Sequence, residues 1–211
     1  MEEEVMEAIT NKQTSTRRVN VRNLVKIALL AASATLLMLF EIPLWFAPSF
    51  YEIDLSEVAV LIGAFAMGPL AGVMIEAIKI ILNLLINGTI TAGIGEFANF
   101  LIGCSLIVPA ALIYRSKKSI QFAIVGMAVG TALMAVTGSV FNAYVLLPVY
   151  AGAFGMPMSA LVEMGSKVNP SITDLRSFIL LAVVPFNLLK GFLSAAVTLL
   201  LYKRVSPLLH K

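Results

Sequence analysis

Residues 55–87, LSEVAVLIGAFAMGPLAGVMIEAIKIILNLLIN, decide the fold. Two apolar runs, about Leu55 to Met67 and about Leu70 to Ile86, are parted only by Gly68-Pro69, a pair that makes a tight turn. The second run holds three polar side chains, Glu76, Lys79 and Asn83, and is otherwise apolar. Crossing a hydrocarbon core of ~30 Å takes roughly 20 apolar residues as a helix, so this run reads as a membrane span. The first run is short for a full crossing.

Outward from this pair the same pattern recurs. Further apolar runs extend from about Val25 to Phe40, Glu96 to Tyr114, Ile120 to Leu147 and Ser177 to Tyr202, with Asn87-Gly88 and Arg115-Ser-Lys-Lys118 as punctuation. The 211 residues are 59% hydrophobic and 13% charged, with mean hydropathy +0.94. Soluble domains run near 45–50% apolar and about 25% charged, so an ordinary soluble enzyme is excluded. A lone Cys104 cannot close an internal disulfide. A formal charge of +3 is too small to argue for a nucleic-acid partner. The expectation is an all-α, polytopic membrane protein with six transmembrane helices. A polar tail occupies residues 1–22, a membrane domain 23–204 and a short tail 205–211. The head, with Glu2, Glu3, Glu4, Glu7, Lys12, Arg17 and Arg18, lacks the apolar core and cleavage site of a secretory signal.

Orientation follows from Lys and Arg near the span ends. Arg17, Arg18, Arg22 and Lys26 precede the first span, Arg115, Lys117 and Lys118 follow the fourth, and Lys203, Arg204 and Lys211 follow the sixth. Six crossings put all three clusters on one side, so both termini are expected in the cytoplasm. The other side receives Glu41, Glu52, Asp54, Glu57, Glu163 and Asp174, with only Lys167 and Arg176 as basic residues.

The chemistry for catalysis is missing. His210 is the only histidine, and Gly165-Ser-Lys167 lacks the glycine spacing of a nucleotide-binding loop. Neither a metal centre nor ATP hydrolysis is expected. Polar groups inside apolar runs carry more information, because an ionisable side chain in a bilayer is costly unless paired or facing a cavity. Glu76, Lys79 and Asn83 share one helical face and fit either mutual neutralisation or contact with a solute. Glu96 and Asn99 open the fourth span behind Thr89 and Thr91, where helix capping is an equal explanation. Phe141-Asn142-Ala-Tyr144 stands near one end of the fifth span. Pro185-Phe-Asn187-Leu-Leu-Lys190-Gly191 stands in the outer half of the sixth, where Pro185 frees a carbonyl. No acid on its own helix neutralises Lys190, so its partner comes from another helix, a carbonyl or a ligand. Trp45, Phe46, Phe50 and Tyr51 lie between Glu41 and Asp54 and suit either a lipid anchor or a flap over a flat heteroaromatic solute. Rings would stack on such a plane while amides bond its polar edge. Ala28-Leu-Leu-Ala-Ala32 offers small residues to a neighbouring helix, inside the bundle or on a partner subunit.

Taken in order, Glu41-Ile-Pro-Leu-Trp-Phe with Asp54-Leu-Ser-Glu57, the Gly63–Gly72 run, Lys79 with Asn83, Glu96-Phe-Ala-Asn-Phe-Leu101, Asn142 with Leu-Leu-Pro148, and Pro185-Phe-Asn-Leu-Leu-Lys190-Gly191 resemble one family. The chain is similar, over roughly Val25 to Arg204, to the riboflavin-specific S components of energy-coupling factor (ECF) vitamin transporters. The resemblance implies a six-helix protein of the prokaryotic cell membrane that captures riboflavin, and possible flavin variants such as FMN, from outside. It implies no cofactor, riboflavin being the cargo, and as partners a transmembrane coupling subunit and two cytoplasmic ATPases. It further implies that Asn142, Asn187 and Lys190 contact the isoalloxazine ring. The loop from Glu41 to Asp54 would then cover the site, and Ala28 and Ala32 would dock on the coupling subunit. Thr91, Glu96, Asn99, Trp45, Phe46 and Tyr144 complete the expected substrate contacts. Ile80 stands where the family carries an asparagine, so Glu76 and Lys79 are left out of the expected site. A different vitamin or nucleobase-like solute, or a purely structural membrane protein, are the alternative functions.

Overall fold

The computed structural model describes residues 21–48 and 50–209, apart from the side chains of Lys203 and of residues 205–209. The expected N-terminal tail falls almost wholly outside the described residues, as do Arg17, Arg18 and Lys211 of the basic clusters, whereas residues 205–209 of the expected C-terminal tail continue the last helix. Among the described residues the chain is helical, save for one small antiparallel ribbon.

Helix α1 spans Val21–Met38. It buries Ile27, Ala31, Ala34, Thr35 and Met38, a stripe at helical spacing, and turns Leu29 and Leu36 outward. That outward apolar face suits a lipid solvent rather than water. A loop follows in which β1 (Ile42–Pro43) pairs antiparallel with β2 (Glu52–Ile53), Ile42 opposite Ile53 and Pro43 opposite Glu52. Then come α2 (Ser56–Met67) and α3 (Pro69–Asn87). Gly68 between them takes φ 101°, a region only glycine enters freely, and Pro69 opens the next helix at a position where its missing N–H costs nothing.

Helix α4 covers Ile94–Ser116 and α5 Ile120–Phe141. They pack closely because Gly126 and Gly130 of α5 face the backbone of Ala110 and Leu106 of α4; a Cβ at Gly126 would lie 2.7 Å from the Ala110 carbonyl oxygen. Small residues at such crossings let helix backbones meet where lipid provides no hydrophobic push. The fifth apolar run does not stop at Leu147. It passes through a π-helical turn, Asn142–Leu146, into α6 (Leu147–Ala153). The stretch between the last two apolar runs holds α7 (Met158–Val168) and the short α8 (Leu175–Phe178), capped by the Asp174 side chain. A second π-turn, Ile179–Val183, leads into α9 (Val184–Leu209).

Among the described residues, five segments are long and apolar enough to cross a membrane: Val21–Met38, Pro69–Asn87, Ile94–Ser116, Ile120–Ala153 and Leu175–Tyr202. The remaining expected span, α2, has 12 residues and rises only about 18 Å, well short of a ~30 Å core. Its burial compensates: every residue from Ser56 to Phe65 is buried, so α2 runs through the middle of the bundle. One core cluster joins α1 to α5, with Ala195, Leu199 and Tyr202 of α9 packed against it. A second, at the ribbon end, joins Ala47 and Tyr51 of the loop to Leu147, Leu161, Ile172, Phe178 and Val183.

Filling the α4–α5 crossing should be costly. Gly130→Val is expected to destabilise the protein by about 2 kcal/mol, the cost of forcing extra methyls into a packed interior. Thermal unfolding in detergent checks this, and an unchanged midpoint would contradict the close helix approach.

Candidate substrate-binding site

Both π-turns have one local cause. Each ends two residues before a proline, so Tyr144 and Leu181, which stand four residues before Pro148 and Pro185, lie in the middle of a widened turn. A proline ring clashes with the carbonyl four residues back and gives it no N–H. Widening the coil to a π-turn relieves the clash, and such turns occur often at functional sites. Here each stands beside a buried asparagine. Asn142, 4% exposed, donates its Nδ2 to the Gly138 carbonyl at 2.8 Å. Asn187, 2% exposed, donates its Nδ2 to the Val183 carbonyl at 2.9 Å. Bonding four residues back on its own helix orients each amide and leaves each with unused hydrogen-bonding capacity. The two helices meet here because residue 138 is glycine: a Cβ would lie 2.7 Å from Asn187 Nδ2 and 2.8 Å from its Cγ.

These amides line a cavity of about 290 Å³ together with Lys190, Thr91, Glu96, Asn99, Asn83, Glu41, Glu52 and Asp54. Phe50, Tyr51, Tyr150 and Phe186 supply aromatic wall. Phe50 lies 4.8 Å from Tyr51 and 5.6 Å from Tyr150, and Tyr51 5.1 Å from Phe186, measured between ring centroids. The volume stands at the small end of the ~300–1,000 Å³ usual for small-molecule sites, and apolar walls with a few fixed polar groups are their usual make-up.

Lys190 finds its partner on the loop: its Nζ meets Asp54 Oδ2 at 2.9 Å, both side chains nearly fully buried. Asp54 Oδ1 accepts from the Ser56 amide at 2.7 Å, at the start of α2. Burial alone would push the Asp54 carboxyl up, but the ammoniums of Lys190 and Lys79 outweigh it and hold the group well below the usual carboxylate range. Tyr51 donates its hydroxyl to Asn142 Oδ1 at 2.6 Å. Burial pushes that phenol up, so it stays a donor. At the mouth, Glu41 faces Glu52 across the ribbon. Partial burial, a hydrogen bond with Glu52 and repulsion from Glu52 and Asp54 push its carboxyl up to about 7, against a weaker pull from Lys190.

Glu96 serves the loop before α4 rather than the helix end. It accepts from Thr89 Oγ1 at 3.0 Å and lies 3.4 Å from Thr91 Oγ1. The two hydroxyls in turn accept from the amides of Gly93 and Gly95, at 3.0 and 2.9 Å. The threonines therefore do the capping, and Glu96 is left to the cavity.

Of the expected contacts, Asn142, Asn187, Lys190, Thr91, Glu96 and Asn99 come together in one hollow. Trp45, Phe46 and Tyr144 do not line it, and this corrects the sequence expectation. Trp45 is 88% exposed, with the Phe46 ring edge-on to it at 5.5 Å. The ribbon splits the aromatic loop, turning Trp45 outward and Tyr51 inward. Tyr144 is 79% exposed because two residues beyond Asn142 is roughly half a turn of either coil. The sequence reading placed Tyr51 only in a candidate flap, and missed Phe186, Tyr150 and the acids at the mouth as lining groups. The signal for Asp54 was there, in the unpartnered lysine. Ala28 and Ala32 lie on the outward face of α1, while Ala31 and Ala34 pack inside.

Comparisons with known proteins agree with this architecture. The family described as ECF transporter, substrate-specific component, matches residues 22–202. The riboflavin transporter RibU of Staphylococcus aureus (strain TCH60) is 32% identical over 90% of this chain and 93% of its own. The riboflavin transporter FmnP of Bacillus subtilis (strain 168) is 30% identical over 89% and 93%. A solved structure of the S component of a bacterial ECF transporter superposes with a TM-score of 0.70 at 30% identity, covering 92% of this chain and all of that one. These are transport components, not enzymes. A buried lysine and two asparagines beside π-turns around one hollow, on a helical scaffold shared over nearly its whole length, accord with the family match over residues 22–202, and the chain belongs to the substrate-specific components of ECF transporters.

Proposed function

We propose that this protein captures riboflavin from outside a prokaryotic cell membrane and delivers it for ATP-driven uptake by a transmembrane coupling subunit and two cytoplasmic ATPases. Riboflavin is the cargo, and no cofactor enters. Two relatives named as riboflavin transporters support the solute. The observation that carries the proposal is the convergence of Asn142, Asn187 and Lys190 with aromatic walls on one cavity. The isoalloxazine ring presents flat apolar faces and an edge of carbonyls and ring nitrogens. The faces suit Tyr51, Phe186 and Tyr150, and the edge suits two amides and an ammonium. The loop from Glu41 to Asp54 roofs the cavity and is tied down by Asp54 and Tyr51.

Six crossings with both termini cytoplasmic belong to the same proposal. They bring Arg22, Lys26, Arg115, Lys117, Lys118 and Arg204 to one side. The short α2 reaches across because the ribbon loop folds into the bundle ahead of it. Exposed Ala28 and Ala32 then present a smooth face on which a coupling subunit can pack.

Lys190→Met in an Asp54→Asn background, which strands no buried charge, is expected to weaken riboflavin binding more than tenfold, or about 1.4 kcal/mol. Asn187→Ala is expected to do the same; quenching of flavin fluorescence measures both, and unchanged affinity in both would remove the site. Gly138→Ala should lower affinity by about the same factor, because its methyl displaces the Asn187 amide while the helices stay folded by circular dichroism.

Four carboxyl groups and one ammonium in the lining favour the uncharged vitamin over FMN, whose phosphate carries a charge of about −1.5 to −2. Since Glu41 is protonated below about 7, the mouth becomes less negative as pH falls through that value. The riboflavin-to-FMN affinity ratio should therefore shrink on acidification. It should be smaller and flatter in Glu41→Gln. Competition titrations read both, and a pH-independent ratio equal in the two proteins would refute the electrostatic account.

A further inference from the structure

Beside the cavity, but not lining it, lies a second buried cluster. Lys79 of α3 contacts Glu57 Oε1 of α2 at 2.9 Å and Glu76 Oε2 of its own helix at 2.7 Å, with Ser56 Oγ at 3.2 Å. All three charged side chains are fully buried. With Asp54 and Lys190 next to them, the interior holds three carboxyl groups and two ammoniums. The surplus is one acid.

Asp54 does not hold the surplus, because Lys190 and the Ser56 amide engage its two oxygens. Lys79 stands between two carboxyls and balances only one. The far oxygens of that pair, Glu57 Oε2 and Glu76 Oε1, are buried without a hydrogen-bond partner. Both side chains converge on Gly103 of α4: a Cβ there would collide with Glu76 Oε1 and lie 3.2 Å from Glu57 Oε1. Carboxylate oxygens accept and never donate, so two ionised groups crowded into one dry corner repel each other and leave lone pairs unsolvated. A buried group in this position takes up a proton rather than remain charged. A metal ion is the other way to neutralise it. Among the described residues no group of three or more His, Cys, Asp and Glu side chains is arranged to hold one.

We infer that Glu57 and Glu76 share a single bound proton at neutral pH, which makes the five-residue interior electrically neutral. The proton turns one of the two carboxyls into a donor and gives an otherwise orphaned oxygen something to give. Asp54 of the loop, Ser56 and Glu57 of α2, Glu76 and Lys79 of α3, Cys104 of α4 and Lys190 of α9 are the charged, polar and titratable groups that face it, with Gly103 the bare shelf on α4. Neutrality of this corner leaves the Asp54–Lys190 pair as the buried charge beside the cavity.

Charge balance dictates an unusual pattern that infrared spectroscopy can read on the full chain in nanodiscs. The wild type at neutral pH is expected to show the carbonyl stretch of a buried protonated carboxyl, identified by its shift in heavy water. Difference spectra against each variant cancel exposed acids. Glu57→Gln and Glu76→Gln are each expected to abolish the band, because the remaining acid ionises against Lys79. Lys79→Gln is expected to double it. Riboflavin quenching within about threefold of wild type certifies folding of the glutamate variants; should Lys79→Gln fail to fold, those two decide alone. A wild-type-minus-variant difference spectrum that lacks this band, for either glutamine variant, overturns the inference. So does a melting temperature that rises with sodium or potassium chloride but not with choline chloride, which would put a cation in the proton's place.

Discussion

One ion pair holds the loop to the bundle. Lys190 and Asp54, separated by 136 positions in sequence, meet at 2.9 Å where neither reaches bulk water. A buried charge that loses its partner is strongly destabilising, so neither end of this contact can leave without the other being re-solvated. The same carboxylate receives the first amide of α2. A single side chain thus sets where the short central helix begins, how the ribbon loop sits over the cavity, and how the cavity's ammonium is balanced.

The second constraint is backbone strain handled locally. Pro148 and Pro185 each remove a donor from a long helix, and each helix answers with a π-turn just upstream. In hydrocarbon there is no water to satisfy a freed carbonyl, so widening the coil is the local remedy around Tyr144 and Leu181. Asn142 and Asn187 reach back to other carbonyls, those of Gly138 and Val183. Those bonds orient the two amides that line the cavity and do not repair the proline breaks. Gly138 permits the meeting of the two, since any side chain there would occupy the space of the Asn187 amide.

Much of the site was legible because its chemistry is expensive in lipid. A lysine with no acid on its own helix, and asparagines within apolar runs, stand out in a sequence that is 59% hydrophobic. Asn142, Asn187, Lys190, Glu96, Asn99 and Thr91 were all visible for that reason. The aromatic residues were not, because Trp45 and Tyr51 look alike in an apolar loop. Which faces the cavity depends on a ribbon of two residues per strand that carries no periodic signal. Tyr144 misled because closeness to Asn142 in sequence means the opposite face on a helix.

Composition and hydropathy by themselves determined that this chain is a helical membrane protein, where its long apolar helices run, and that the Gly68-Pro69 and Asn87-Gly88 pairs end two of them. These are local properties: hydrocarbon thickness sets helix length, and glycine and proline set the turns. Tertiary structure alone decided that α2 is a buried helix of 12 residues, that the segment after α6 folds into helices, and that Lys190 answers to Asp54 and Lys79 to Glu57 as well as to its helix neighbour Glu76. Partner choice among buried charges follows from which helices touch, and contact between distant segments leaves no trace in the spacing of either one.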